Sequence, residues 1–261
     1  MDLTTIVITR GPRLATVTLA RPEMRNAFNE RMIAEITWAF EALGYEREVH
    51  AIVLAGLGPA FCAGADLNWM KAMADFTPDE NRADAGQLAK MLHTVYHCPQ
   101  PVVARIQGDV YAGGMGLVAA CDIAVTCDTA QFCLSEVKLG LIPATISPYV
   151  IRAMGESAAR RYFLTAERFS AAEAHRIGLV HVVASAETLD ATLDGIVTHL
   201  TGASPNAVRE AKRLVREIGG ATIDDALIAD TAERIAAIRA SEEGREGVRA
   251  FLDKRKPSWL A

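Results

Sequence analysis

The chain has 261 residues, 51% hydrophobic and 23% charged, a balance that suits one large globular domain with a substantial core. A formal net charge of −5 argues against the basic face a nucleic-acid binder needs, and the most basic stretch, Lys254-Arg255-Lys256, reads as a solvated helix end. No apolar run is long enough for a bilayer and residues 1–20 lack a secretory signal; five cysteines without a C-x-x-C pair fit a reducing, cytoplasmic compartment.

In chain order, Thr5–Arg10 and Arg13–Leu19 are rich in Val, Ile and Thr, and Gly11-Pro12 is the expected turn of a hairpin. Asn29–Leu43 carries apolar residues at Met32/Ile33, Ile36 and Phe40 behind a capping Asn29, the spacing of an amphipathic helix. Ala51–Leu54, Val102–Gln107 and Cys121–Cys127 read as strands, and Pro78–His97 reads as a helix. Strands alternating with helices predict an α/β layer structure. Beyond Ser147 the pattern is helical, with segments at Ala186–Leu200, Pro205–Ile218, Ile223–Ala240 and Ser241–Arg255, and Gly178-Leu179-Val180 turning into a brief extended piece. No internal repeat is visible.

Three segments carry chemistry. The first, Phe61-Cys62-Ala63-Gly64-Ala65-Asp66-Leu67, puts small residues where a backbone can approach a ligand, with Asp66 placed to cap a helix starting near Asn68. It also reads as a plain tight turn. The second, Gly108 to Gly116, sets Gly113-Gly114-Met115-Gly116 at a helix start, whose free N–H groups suit an anion or a developing oxyanion. Its G-G-x-G spacing is not the G-x-G-x-x-G of dinucleotide folds, and no Gly-Lys-Ser/Thr marks a P-loop. The third, Ala130 to Pro143, holds one carboxylate, Glu136, after an apolar strand-like run. Partial burial would raise its pKa toward neutrality, although Lys138 or an arginine could instead pair with it.

His93 and His97 have i, i+4 spacing but neither an adjacent Glu nor a third ligand, so no metal is expected. No histidine falls in the three segments, which disfavours a Ser-His hydrolase. Cys62 and Cys133 read as small packing residues.

Taken together, FCAGADL, the glycine-rich helix start leading into CDIA, AQFCLSEVKLGLIP, the early RPEMRNAFN and the late EGVRAFLDKRKP strongly resemble the crotonase (enoyl-CoA hydratase/isomerase) superfamily over nearly the whole chain. Within it, GGMGLVAACDIAV and FCLSEVKLGLIPATISPYVIRAMG resemble the bacterial branch of 3-methylglutaconyl-CoA and isohexenylglutaconyl-CoA hydratases. The resemblance implies an α/β spiral core of ββα units (ClpP-like) over residues 1–200. Residues 201–261 would form a C-terminal helical trimerisation region, and the whole a homotrimer or a dimer of trimers.

It further implies an acyl-CoA thioester substrate, with coenzyme A part of the substrate and no separate cofactor. The oxyanion donors would be the backbone N–H groups of Ala65 and Gly113. Met24, Ala27, Ala63, Asp66, Leu67 and Gly114 would bind substrate or CoA, joined by Phe251 and Lys254 from a neighbouring subunit. Trp69, Met70, Tyr111 and Gly116 would line the acyl pocket. Of the two glutamates usual in the family's hydratases, the second matches Glu136 and the first falls at Gly116, where a glycine would leave room for a branched acyl chain. The implied activity is hydration of a branched or carboxylated 2-enoyl-CoA, as in fatty acid or leucine degradation. Δ3-Δ2 enoyl-CoA isomerisation by Glu136 alone is the alternative. A non-catalytic binding or assembly role is the different-class reading, with the charge balance against RNA.

Overall fold

The computed structural model describes residues 2–260. Strands β1 (Ile6–Gly11) and β2 (Leu14–Leu19) pair antiparallel from Ile6↔Leu19 to Gly11↔Leu14. The turn between them is Pro12-Arg13, one residue later than expected. Proline fixes the first turn position, and Arg13 takes the left-handed conformation at φ 63°. Helix α1 (Glu30–Tyr45) starts as predicted, with Asn29 Oδ1 accepting from the Met32 N–H at 2.9 Å and Met32, Ile33, Ile36 and Phe40 buried.

A strand–strand–helix unit then occurs three times, a repeat the residue pattern does not betray. β3 (Ala51–Gly56) and β4 (Ala60–Cys62) lead to α2 (Leu67–Ala74) and α3 (Pro78–His97). β5 (Val102–Ile106) and β6 (Asp109–Tyr111) lead to α4 (Gly113–Ala120). β7 (Ile123–Cys127) and β8 (Gln131–Cys133) lead, through a 3-10 turn at Glu136–Leu139, to α5 (Ser147–Thr165), which breaks at Gly155 with φ 77°. β9 (Phe169–Ser170), α6 (Ala171–Arg176) and β10 (Val182–Ala184) follow, then helices α7 (Leu189–Gly202), α8 (Pro205–Ile218), α9 (Asp225–Ala240) and α10 (Glu242–Leu252). β7 begins two residues after the expected Cys121, because the Cys121 N–H closes α4 on Val118 C=O.

The units sort their strands. First strands join a six-stranded sheet ordered β1-β2-β3-β5-β7-β10, parallel from β2 onward. Second strands form a small sheet ordered β4-β6-β8-β9, with β4, β6 and β8 parallel and β9 antiparallel to β8. All six residues of β3 are buried, the signature of a parallel strand covered on both faces. The architecture is the α/β spiral with a helical C-terminal region.

One buried charge fixes where the chain begins. The Glu35 carboxylate is fully buried. It accepts from the Thr4, Thr5 and Ile6 backbone N–H groups, both threonine hydroxyls and Arg31 Nε, with distances of 2.6–3.2 Å. Burial alone would push its pKa up. The donors from Thr5, Arg31 and Thr4 outweigh burial and hold it down at about 2. A carboxyl lowered from its ordinary 4.5 stabilises the fold above pH 4.5, and that stabilisation is lost as pH falls toward 2. We expect Glu35→Gln to cost about 2–3 kcal/mol at pH 7. The gap to wild type should narrow steadily in denaturant titrations taken from pH 5 to pH 2; a pH-independent gap would refute the charged-cage reading.

Candidate active site

Three loops meet because three strands end together. The pairs Cys62↔Val110, Val110↔Phe132 and Tyr111↔Cys133 bring the C-terminal ends of β4, β6 and β8 alongside one another. The segments that follow, 63–66, 112–113 and 134–136, therefore emerge as neighbours. This is where parallel sheets present ligand sites.

The first loop is hung from the early turn. Ala63 N–H donates to Arg25 C=O at 3.0 Å, Phe28 N–H to Gly64 C=O at 2.7 Å, and Asp66 N–H to Phe28 C=O at 2.8 Å. These bonds make Phe28↔Ala65 an isolated parallel bridge in which the Ala65 N–H takes no part. Gly64, at φ +90°, is required here: an added Cβ would stand 3.0 Å from Ala112 Cβ and 3.3 Å from Tyr111 C=O.

The second loop turns sharply. Ala112 N–H donates to Cys133 C=O at 2.9 Å, and Ala112 takes φ 47°, ψ −118°, a conformation that costs a non-glycine residue about 1–3 kcal/mol. The kink starts α4 at Gly113, whose N–H belongs to the helical first turn and has no intrahelical acceptor. Phe28 Cε2 lies 3.0 Å from where a Gly113 Cβ would be, so Phe28 joins the two donor segments, its backbone on Ala65 and its ring on Gly113.

Glu136 opens the 3-10 turn after β8. Its Oε2 is buried without a hydrogen-bond partner, and burial raises its pKa above the ordinary 4.5. The pairing with Lys138 does not occur: Lys138 Nζ donates to Ala166 C=O at 2.6 Å. The carboxyl is thus partly desolvated with one oxygen uncommitted, a state that raises its affinity for a proton and suits proton exchange.

Several of the expected site residues also carry structural contacts. Asp66 caps α2 through Asn68 N–H at 2.8 Å and pairs with Arg21 at 2.7 Å; at 3% exposure its carboxylate is saturated by the protein, which leaves only its backbone for a ligand. Gly114 faces inward: its Cβ would meet Cys62 Cβ and C=O at 2.8 Å, so it serves close packing of α4 on β4. Gly116 leaves no room, because the Ile146 side chain fills the space beside it. Trp69 is 8% exposed and ties α2 to α3 through Nε1 to Asp84 Oδ1 at 3.0 Å. Tyr111 directs its hydroxyl to Asp109 at 3.1 Å, with Arg168 over its ring.

Met24, Ala27 and Ala63 lie on the loops around Ala65, with Ala27 buried, Met24 and Ala63 half-buried, and Leu67 exposed at the start of α2. Met70 is half-buried on the same helix. Phe251 and Lys254 stand apart: α10 packs on α8 and α9, Phe251 is 82% exposed and Lys254 is exposed.

Sequence reasoning missed Asn26. This fully buried residue, at φ 55°, accepts from Arg21 N–H at 2.9 Å and donates to Leu57 and Ala60 C=O at 2.8 and 2.9 Å. It fixes the early turn against the approach to β4. A lone Asn inside RPEMRNAFN gives no periodic signal, only a tolerance for left-handed backbone. His93 and His97 stack at 3.9 Å, with His97 Nδ1 on His93 C=O, and among the described residues no group of three metal-type side chains gathers. Burial pushes the Cys62 thiol up to about 12, far from a thiolate nucleophile.

A family model described as Enoyl-CoA hydratase/isomerase matches residues 10–261. The chain is 36% identical over 250 residues to enoyl-CoA hydratase ACTT6 of Alternaria alternata, covering 93% of this chain and 80% of that one. It is 34% identical over 253 residues to the mevalonyl-coenzyme A hydratase sidH of Aspergillus fumigatus, covering 95% and 92%. The crystal structure of an enoyl-CoA hydratase from Shewanella pealeana matches with a TM-score of 0.96 at 41% identity, covering 99% and 97%.

Because the folded state raises the pKa of Glu136, the native protein keeps a proton that the unfolded chain loses just above pH 4.5. Stability therefore falls as pH rises through that window and stays reduced above it. Glu136→Gln removes the penalty: its melting temperature should exceed wild type at pH 8, and the difference should close by about pH 4. An equal offset at both pH values would show that Glu136 is not a desolvated carboxyl.

Proposed function

The chain belongs to the enoyl-CoA hydratase/isomerase family, and from that premise we propose that it adds water across the 2,3-double bond of a short, branched or carboxylated 2-enoyl-CoA of the 3-methylglutaconyl type. The observation that carries the reading is the unpartnered, buried Oε2 of Glu136 at the junction that also holds the Ala65 and Gly113 N–H groups. The relatives named as hydratases support the reaction class, and one is named for mevalonyl-CoA.

The chemistry runs through one carboxylate. Glu136 takes a proton from water as the water oxygen bonds to C3, and the π electrons move onto the thioester. The resulting enolate oxygen sits between the N–H groups of Ala65 and Gly113, each such donor contributing about 2.7–4 kcal/mol. Glu136 then returns its proton to C2, so one water has been added. The CoA portion belongs to the substrate, and the steps use no separate cofactor. A substrate of this type would place the reaction in leucine degradation.

A second reading, Δ3-Δ2 isomerisation, is favoured by one observation: Ile146 fills the space beside Gly116, so Glu136 has no carboxylate partner from that position. Carrying a proton between C4 and C2 needs only one carboxylate.

We also propose a homotrimer, or a pair of trimers, in the cytoplasm. Val248, Phe251 and Leu252 stand 58%, 82% and 70% exposed on α10, an apolar face suited to a second copy of the chain. Among the described residues no helix is long and apolar enough to cross a membrane. Sedimentation equilibrium should return three or six times the chain mass; a monomer would reject the assembly.

Incubation with 3-methylglutaconyl-CoA, crotonyl-CoA and a 3-enoyl-CoA, followed by mass spectrometry, tests the reaction. We expect products heavier by one water, formed fastest from the glutaconyl substrate, and a roughly 10²–10⁴-fold slower reaction in Glu136→Gln. Unchanged mass with the 3-enoyl double bond moved into conjugation would establish the isomerase instead.

A further inference from the structure

Gly116 lies in α4, one turn beyond Gly113, and its surroundings are already full. A Cβ built on it would overlap Ile146 Cγ2, stand 2.8 Å from Ile146 Cβ, and meet Leu92 Cδ2 at 3.4 Å. Ile146 is 2% exposed and sits at the N-cap position of α5, where it makes no side-chain capping bond. Its contribution there is volume. Leu92 comes from α3, so α3 and α5 together plug the space beside α4.

Further along α4, an open groove of about 740 Å³ is lined by Ala119, Tyr96, Tyr149, Ala153 and Arg152, among others. Ala119 follows Gly116 by three residues, about 4.5 Å along the helix axis. Tyr149 and Ala153 follow Ile146 by three and seven residues, the spacing of one helix face. The same faces of α4 and α5 that form the plug therefore continue into the wall of the groove.

We propose that Ile146 is a specificity-determining residue: packed with Leu92 against Gly116, it ends the acyl pocket there and blocks passage along α4 toward the groove. Acyl groups that stop or branch before Ile146 are accepted, and long straight chains are turned away. The inference rests on the reading that the thioester sits at Ala65 and Gly113, which directs the acyl chain past Gly116.

The test compares affinities for butanoyl-CoA and decanoyl-CoA by calorimetry in wild type, Ile146→Val and Ile146→Ala. Both ligands are saturated and cannot be hydrated, so a protein without hydratase activity still yields this readout, and failure of the proposed reaction is distinguishable from failure of the plug. Wild type should favour butanoyl-CoA. Ile146→Ala should shift the ratio toward decanoyl-CoA by about tenfold or more, as expected for several methyl groups removed from an apolar pocket, with Ile146→Val moving it less in the same direction. A shift smaller than about threefold in a folded Ile146→Ala would overturn the proposal. Should Ile146→Ala fail to fold, wild type decides: decanoyl-CoA binding as tightly as butanoyl-CoA means that Ile146 is no stop.

Discussion

The site depends on the parallel pairing of three short strands, β4, β6 and β8. None exceeds three residues, yet their common direction makes three loops, distant in sequence, leave the sheet at one edge. The Ala112 N–H bond to Cys133 C=O ties the donor loop to the strand that delivers Glu136, and the Phe28 bridge ties the early turn to Ala65. Because these links are backbone hydrogen bonds, donor geometry is set by the fold and not by side-chain identity.

The same economy of side chains governs the electrostatics. In the proposed reaction the thioester oxygen would meet amide dipoles, which carry no net charge and need no counter-ion, so the one carboxylate can stay unpaired and ready to take a proton. Lys138 could neutralise Glu136 but is engaged by Ala166 C=O, and Arg25 is held by Asp109. Keeping cations on other partners preserves the raised pKa. The backbone strain at Ala112 lies in the same cluster, where neighbouring contacts hold a conformation that the residue alone would leave.

Much of the fold was legible because long elements advertise their periodicity: α1, with its Asn29 cap, and the helices α3 and α8 lie where the sequence pattern put them. The second sheet was not. Strands of two or three residues are too short to display alternation, so AFC, DVY and FS give no strand signal, and the threefold strand–strand–helix repeat stayed hidden. The candidate site was legible as motifs but not as contacts. The sequence offered Glu136 several partners, and only three-dimensional packing shows Lys138 turned elsewhere. Gly116 looked like vacant space because a glycine reveals what its own side chain lacks and says nothing of what a neighbour 30 residues away supplies. Asp66 and Gly114, adjacent to Ala65 and Gly113 in sequence, also serve as a helix cap and a close packing contact.

The interlock of Gly116 with Ile146 also bears on how this chain could change over evolutionary time. A glutamate at 116 would strike Ile146, while shortening Ile146 first would leave a hole beside Gly116 and Leu92. Each step alone is disfavoured by packing, so the effect of one depends on the other and the two positions are coupled. A lineage that has settled into glycine and isoleucine here is held there by packing, whatever selection on its chemistry might prefer.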